Sequence, residues 1–138
     1  MVNLFVSEND VIEIVIYVGE DKKGRIFVDT EEDGVKQILG EDQVQTVEKF
    51  TFTFKKPSFE DAVNLVKDIF YSDGARINFN PLEARLMKIS KLLKTWDLKD
   101  REGKNIPATE QSIKKLSPVI ANAVGVILDS ETGIAGMV

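Results

Sequence analysis

Cysteine and histidine are both absent from this chain of 138 residues, and tryptophan occurs once. Without thiols there are no disulfides, no thiolate zinc sites and no cysteine nucleophile. Without imidazole the commonest general base and the commonest transition-metal ligand are missing. One Trp and two Tyr offer little aromatic surface for stacking nucleic acid bases. No apolar run approaches the roughly 18 to 20 residues of a membrane-spanning helix. Met1 to Val6 lacks a basic stretch ahead of a long apolar core, and Ser7-Glu8-Asn9-Asp10 cuts it short, so it does not read as a secretory signal and a cytosolic location is expected.

What is present suffices for one domain. Hydrophobic residues make up 43% of the chain, enough for a real core. With 18 basic and 23 acidic residues the net charge is −5 and the pI about 4.8, which gives no general attraction to nucleic acid or anionic membranes. The charge is unevenly divided: residues 1–56 carry 7 basic and 12 acidic side chains, and residues 57–138 carry 11 of each.

Apolar patterning changes at the same boundary. Val11 to Val18 is β-branched and aromatic, and Gly19-Glu20-Asp21-Lys22-Lys23-Gly24 separates it from a second short run, Arg25 to Val28, as in a hairpin. Thr30 to Asp42 mixes two glycines with acids around Val35 to Leu39 and reads as loop or one helical turn. From Val44 to Lys55 the alternation is regular, with Phe50, Phe52 and Phe54 on one side and Lys49, Thr51, Thr53 and Lys55 on the other, which predicts a strand.

Pro57 blocks that strand, and Ser58 with Asp61 three residues on forms a capping signal. The helix that follows should bury Phe59, Ala62, Val63, Leu65, Val66, Ile69 and Phe70 and end at Asp73-Gly74. After Ile77 and Phe79, Asn80-Pro81-Leu82-Glu83 opens a second helix. Its apolar stripe is Leu82, Leu86, Ile89, Leu92, Leu93 and Trp96, with Lys88, Lys91 and Lys94 on the wet side. Residues 97–108 form a polar turn or small hairpin around Gly103. Thr109 caps a short helix through Leu116, and Ser117-Pro118 starts a last helix to Leu128. Asp129 to Val138 shows no period and is expected to be flexible.

Chemistry-bearing constellations are sparse. Gly19 and Gly24 flank a hairpin turn and precede no lysine-serine pair, so there is no phosphate loop. Glu31-Glu32-Asp33 with Glu41 and Asp42 could suggest a magnesium site, but no ligand spacing accompanies them, and a solvated acidic turn is the simpler reading. No cofactor is expected. From Arg85 to Lys104 there are seven basic residues against three acidic ones. Arg85, Lys88, Lys91 and Lys94 are either the solvated back of a helix, the favoured reading, or a docking face for an acidic partner or for nucleic acid. In the last helix, apolar residues including Val119, Ile120, Val124, Ile127 and Leu128 cover roughly 200° of the circumference, with only Asn122 and Gly125 outside. Such a helix either threads the core or is covered by another chain, as a partner or a second copy. Trp96 carries the same two readings, core anchor or contact residue, and Leu98 follows it.

The stretch from Leu92 to Leu116, with the skeleton Trp96, Leu98, Asp100, Gly103, Pro107, Thr109, Ile113 and Leu116, resembles a segment of tailed-bacteriophage tail assembly chaperones. Phe52-Thr53-Phe54-Lys55-Lys56-Pro57-Ser58 is similar to the strand-to-helix junction of the same group, so the resemblance spans about residues 50–128. It implies a helix leading into the tryptophan, an Asp/Gly turn, and a Pro-x-Thr cap opening the next helix. It further implies a non-enzymatic protein of the host bacterial cytoplasm that covers hydrophobic segments of the tape measure protein during tail assembly. The hairpin at about residues 11–28 departs from the shortest members and points to an alternative, a virion component such as a tail completion, baseplate or neck subunit. A small metal-dependent enzyme built on the acidic loops is the third reading.

The expected architecture is α+β: an N-terminal antiparallel β-sheet of three or four strands in an acidic region, residues 1–56, then three or four helices in residues 57–130, then a flexible tail, residues 131–138. Function is expected to be assembly through protein contact, with Trp96, Leu98, Val119, Ile120, Val124, Ile127 and Leu128 as partner-binding candidates. The partners implied are other tail proteins, tape measure or tail tube, with a homo-oligomer as a further possibility and no membrane.

Overall fold

A computed structural model describes residues 2–40, 46–71 and 81–134. Val44, Glu41, Asp42, the stop at Asp73-Gly74, Ile77, Phe79, the cap Asn80 and the end of the tail fall outside them. The fold is α+β, a four-stranded antiparallel sheet backed by helices. Strands β1 (Val11–Glu20) and β2 (Ile26–Asp29) form the expected hairpin, and β3 (Val47–Lys55) pairs with β1 from Val11 to Gly19. That register sets Ile12 opposite Phe54, Ile14 opposite Phe52 and Ile16 opposite Phe50, so period-two alternation places all six on one face. All but the half-buried Phe50 are sealed in the core.

The fourth strand comes from a segment that the periodicity assigned to a helix. Helix α3 (Pro81–Leu92) passes without a loop into β4 (Leu93–Trp96), giving the sheet order β2-β1-β3-β4. The apolar spacing through Leu93 and Trp96 fits a helix, and strict alternation would set the two on opposite faces of a strand; a register shift at Thr53/Phe54 instead brings Leu93 opposite Phe54 and Trp96 opposite Phe52. The open edge of β3, whose amides and carbonyls need partners, decides for the strand. Trp96 then lies opposite Phe52, their rings edge to face at 6.0 Å. A helix therefore does not lead into the tryptophan, as the resemblance implied; a strand does.

Helix α2 (Phe59–Tyr71) starts at the capping box read from sequence: the Asp61 amide donates to Ser58 Oγ at 3.1 Å and the Ser58 amide donates to Asp61 Oδ2 at 3.0 Å. Leu65 and Ile69 reach the core, but Phe59, 87% exposed, and Val63 stand in solvent rather than in the buried arc. Helix α5 (Pro118–Thr132) begins at Pro118 as expected and runs past Leu128 to Thr132. Ile134 is buried in the same core, so the tail expected to be flexible is anchored through that residue. Between them, α4 (Glu110–Lys114) is capped by Thr109, whose Oγ1 accepts from the Ser112 amide at 3.2 Å.

The stretch read as loop or one turn holds α1 (Glu32–Leu39), which packs on the opposite face of the sheet from the other helices. Val35 and Leu39, one turn apart, are its buried residues. They fit because position 19 has no side chain: a Cβ on Gly19 would sit 2.6 Å from both Val35 Cγ1 and Leu39 Cδ1.

Turn carboxylates lock the strand ends. The amides of Lys23 and Arg25 both donate to Asp21 Oδ1 at 2.9 Å, and Arg25 Nε donates to Oδ2 at 2.6 Å. Burial works against the charge on Asp21, but these donors outweigh it and hold its carboxyl below 3.8. The Ser7 amide does the same for Asp10 and the Ser58 amide for Asp61. A carboxylate whose folded pKa lies below its unfolded value stabilises the fold above that unfolded value and loses the contribution as pH falls through the folded one. The melting temperature is accordingly expected to drop as pH falls from about 5 toward 3. Thermal melts across that range on Asp61→Asn should show a shallower drop; an unchanged slope would remove Asp61 from the account.

Candidate partner-binding groove

At the Glu20 end of the sheet the core face is not fully covered. Val18, Ile26 and Phe50 stay half-buried there and form the floor of an open groove of about 280 Å³. Its opposite wall is Leu98 and Ile106 from the hairpin after β4, with Leu116 and Ile120 from the α4–α5 junction. The lining is mostly apolar, and the charged groups Glu20, Glu48 and Lys99 sit on it as well. A dry cavity of about 150 Å³ suffices for a benzene ring, so the groove has room for an aromatic and a neighbouring aliphatic side chain.

The hairpin wall is built by local polar chemistry. Asp100 Oδ1 accepts from the amides of Glu102 at 2.8 Å and Lys104 at 3.0 Å, and Lys99 bridges to Asn105 across the turn. The Ile106 amide donates to the Leu98 carbonyl at 3.0 Å, which sets those two apolar side chains beside each other. Trp96 Nε1 donates to the Ile106 carbonyl at 2.6 Å and ties the hairpin to the sheet. The single tryptophan therefore stands behind the groove, in contact with both Phe52 and the hairpin.

The sequence candidates divide accordingly. Leu98 and Ile120 line the groove. Val124 and Leu128 are sealed in the core and cannot meet a partner in this fold, while Val119 is exposed on the helix surface. Ile127 lines a second open groove, of about 440 Å³, with Ile16, Val28, Ala123 and Val126. The apolar circumference of α5 is thus mostly spent inside: it meets β1 and β2 on one side and α3 on another. Gly125, read as lying outside the apolar arc, is buried against Arg85, where a Cβ would sit 2.5 Å from the Arg85 Cδ and Nε. Val18, Ile26, Phe50, Ile106 and Leu116 were not partner-binding candidates; the signal for Val18 and Phe50 was an apolar alternation in β1 and β3 that outruns the helices available to cover it, and Leu116 entered only through the resemblance.

The basic face does not exist as a face. Lys88 is 1% exposed and paired with Asp129 of α5, not on the wet side of α3. Arg85 reaches the same carboxylate, Nη2 to Oδ2 at 3.3 Å, and donates to Asn122 Oδ1 at 3.2 Å. Lys91 pairs with Asp68 of α2 at 3.7 Å, and Lys94 lies on β4 rather than on the helix. α3 is covered on two sides, by α2 and by α5, so no wet side is left where Lys88 projects. Among the described residues, no three acidic side chains come together as a metal site, and no helix is long and apolar enough to cross a membrane.

The class is therefore an α+β protein with a four-stranded antiparallel sheet and an uncovered apolar groove at one end of its core face. Comparison with models of protein families, with curated proteins and with solved structures finds no match to this chain.

Proposed function

We propose that this protein is a non-enzymatic assembly factor that holds an apolar stretch of another polypeptide in the groove between β1, β3 and the 98–106 hairpin. In line with the segment it shares in appearance with tail assembly chaperones, the proposed client is a hydrophobic segment of a phage tape measure protein, met in the host bacterial cytoplasm. The supporting observation is the half-buried floor of Val18, Ile26 and Phe50, which the chain's own helices leave open. An acidic surface suits the role, since net charge opposes aggregation of a client held in an exposed state.

The second groove beside Val126 and Ile127 favours the alternative of a virion subunit, because a permanent component needs more than one contact surface. Mass spectrometry of finished particles separates the two: a fixed copy number supports the subunit, absence the chaperone.

Trp96 provides the direct test, being the sole tryptophan and packed on the groove wall. Titrating peptides that tile the tape measure protein is expected to shift its emission for at least one apolar peptide. Leu98→Glu is expected to weaken that binding by about tenfold or more. If no peptide moves the emission, the groove is not a client site.

A further inference from the structure

We propose that the groove of one copy is filled by the apolar arm, Val2 to Val6, of a second copy, so that the protein associates head to tail until a client displaces the arm. This rests on the groove being a site for apolar polypeptide. The arm is the natural occupant, because Leu4 and Phe5 are 83% and 84% exposed and Val2 nearly as much. Residues 2–7 carry no charged side chain, and an aromatic beside an aliphatic matches the room in the groove.

Geometry excludes the arm from its own groove. Its root is pinned at the opposite end of the sheet: the Lys56 amide donates to the Asp10 carbonyl at 3.0 Å. A tight turn follows, in which the Asp10 amide donates to the Ser7 carbonyl at 3.1 Å and the Ser7 amide donates to Asp10 Oδ2 at 2.9 Å. From Val11 to Val18 the strand advances roughly 24 Å at about 3.4 Å per residue. Phe5 stands only two residues beyond the turn, about 7 Å of reach. The face between is closed, since Ile12, Ile14 and Ile16 are buried under the helices. An arm on one end and a groove on the other make a heterologous contact, which propagates from copy to copy or closes into a ring.

Sedimentation of the full chain from micromolar to millimolar concentration is the test. Wild type is expected to gain mass with concentration, and Phe5→Asp, a change at an exposed position far from the groove, to remain monomeric. Leu98→Glu alone is also expected to be monomeric, whereas its mixture with Phe5→Asp should form a heterodimer and stop there, because only one arm and one groove remain intact. A synthetic peptide of residues 2–7 should dissolve the wild-type assembly, a readout that does not depend on any variant folding. A wild type that stays monomeric throughout, or a Phe5→Asp variant that assembles as wild type does, would overturn the arm exchange. Client binding is read separately through Trp96 in the Phe5→Asp variant. A client shift without self-association leaves the groove reading standing and removes the arm; self-association without any client shift does the reverse.

Discussion

Asp129→Ala is expected to destabilise the fold by about 3–5 kcal/mol, the range for stripping a buried charge of its partner. Lys88 has almost no access to water, and its ammonium meets the Asp129 carboxylate, which Arg85 also engages from the same helix. Removing the carboxylate leaves that buried ammonium between α3 and α5 beside the Arg85 guanidinium, and among the described residues no other acidic side chain pairs with it. The loss should appear as a lower urea midpoint with an unchanged slope. Lys88→Met supplies the contrast. It removes the charge and keeps most of the volume, so it is expected to be near neutral or stabilising. If Asp129→Ala were to fall within about 1 kcal/mol of wild type, the pair would be behaving like an exposed one, and the packing of α5 on α3 would need another explanation.

The second large effect is Phe52→Ala. Phe52 is fully buried at the centre of β3, stacked on Phe54 at 6.5 Å and met edge-on by Trp96. Truncating a buried phenylalanine costs about 3–5 kcal/mol through lost burial and the cavity left behind. Because Phe52 also lines the groove and supports Trp96, this variant should show a blue- or red-shifted tryptophan emission even where it remains folded. Phe50→Ala, one pair along and only half-buried, is expected to cost clearly less in stability while still impairing the groove. Equal losses for the two would mean that the groove floor is as tightly packed as the core.

Much of the framework was legible because its causes are local. The β1–β2 hairpin follows from β-branched runs around a Gly/Asp turn, and Asp21 does accept the turn amides that such a residue is there to accept. The Ser58/Asp61 box and the Thr109 cap each satisfy backbone donors within three residues, so sequence alone locates the starts of α2 and α4. The alternation of Phe50, Phe52 and Phe54 names the buried face of β3 whatever lies against it. The candidate site was half legible: Ile120 was marked by the apolar surplus of the last helix and Leu98 by its place in the segment after Trp96, but Val18, Ile26 and Phe50 carried no mark beyond strand patterning. Nothing in a strand's alternation tells where its covering helices stop.

Charge and strand edges behaved differently from these local signals. A helical projection sorts Lys88 from Leu92 by assuming one wet side; α3 has a second neighbour, and the carboxylate that makes burial of Lys88 tolerable comes from 41 residues away. Leu93 to Trp96 has helical apolar spacing, and the hydrogen-bonding demand of the β3 edge overrides it, with a register shift at Thr53/Phe54 keeping both apolar side chains against the core.

By itself, then, the sequence determined the α+β class, the hairpin, the faces of β3 and the points where α2, α4 and α5 begin, since each depends on residues within a few positions of one another. Only the tertiary structure decided that β4 closes the sheet, that Lys88 is an interior charge, and that the apolar surplus emerges as a groove beside Phe50 rather than as a stripe on α5. Those outcomes depend on which surfaces are left uncovered once all the elements have packed, a property of the whole arrangement and of no single segment.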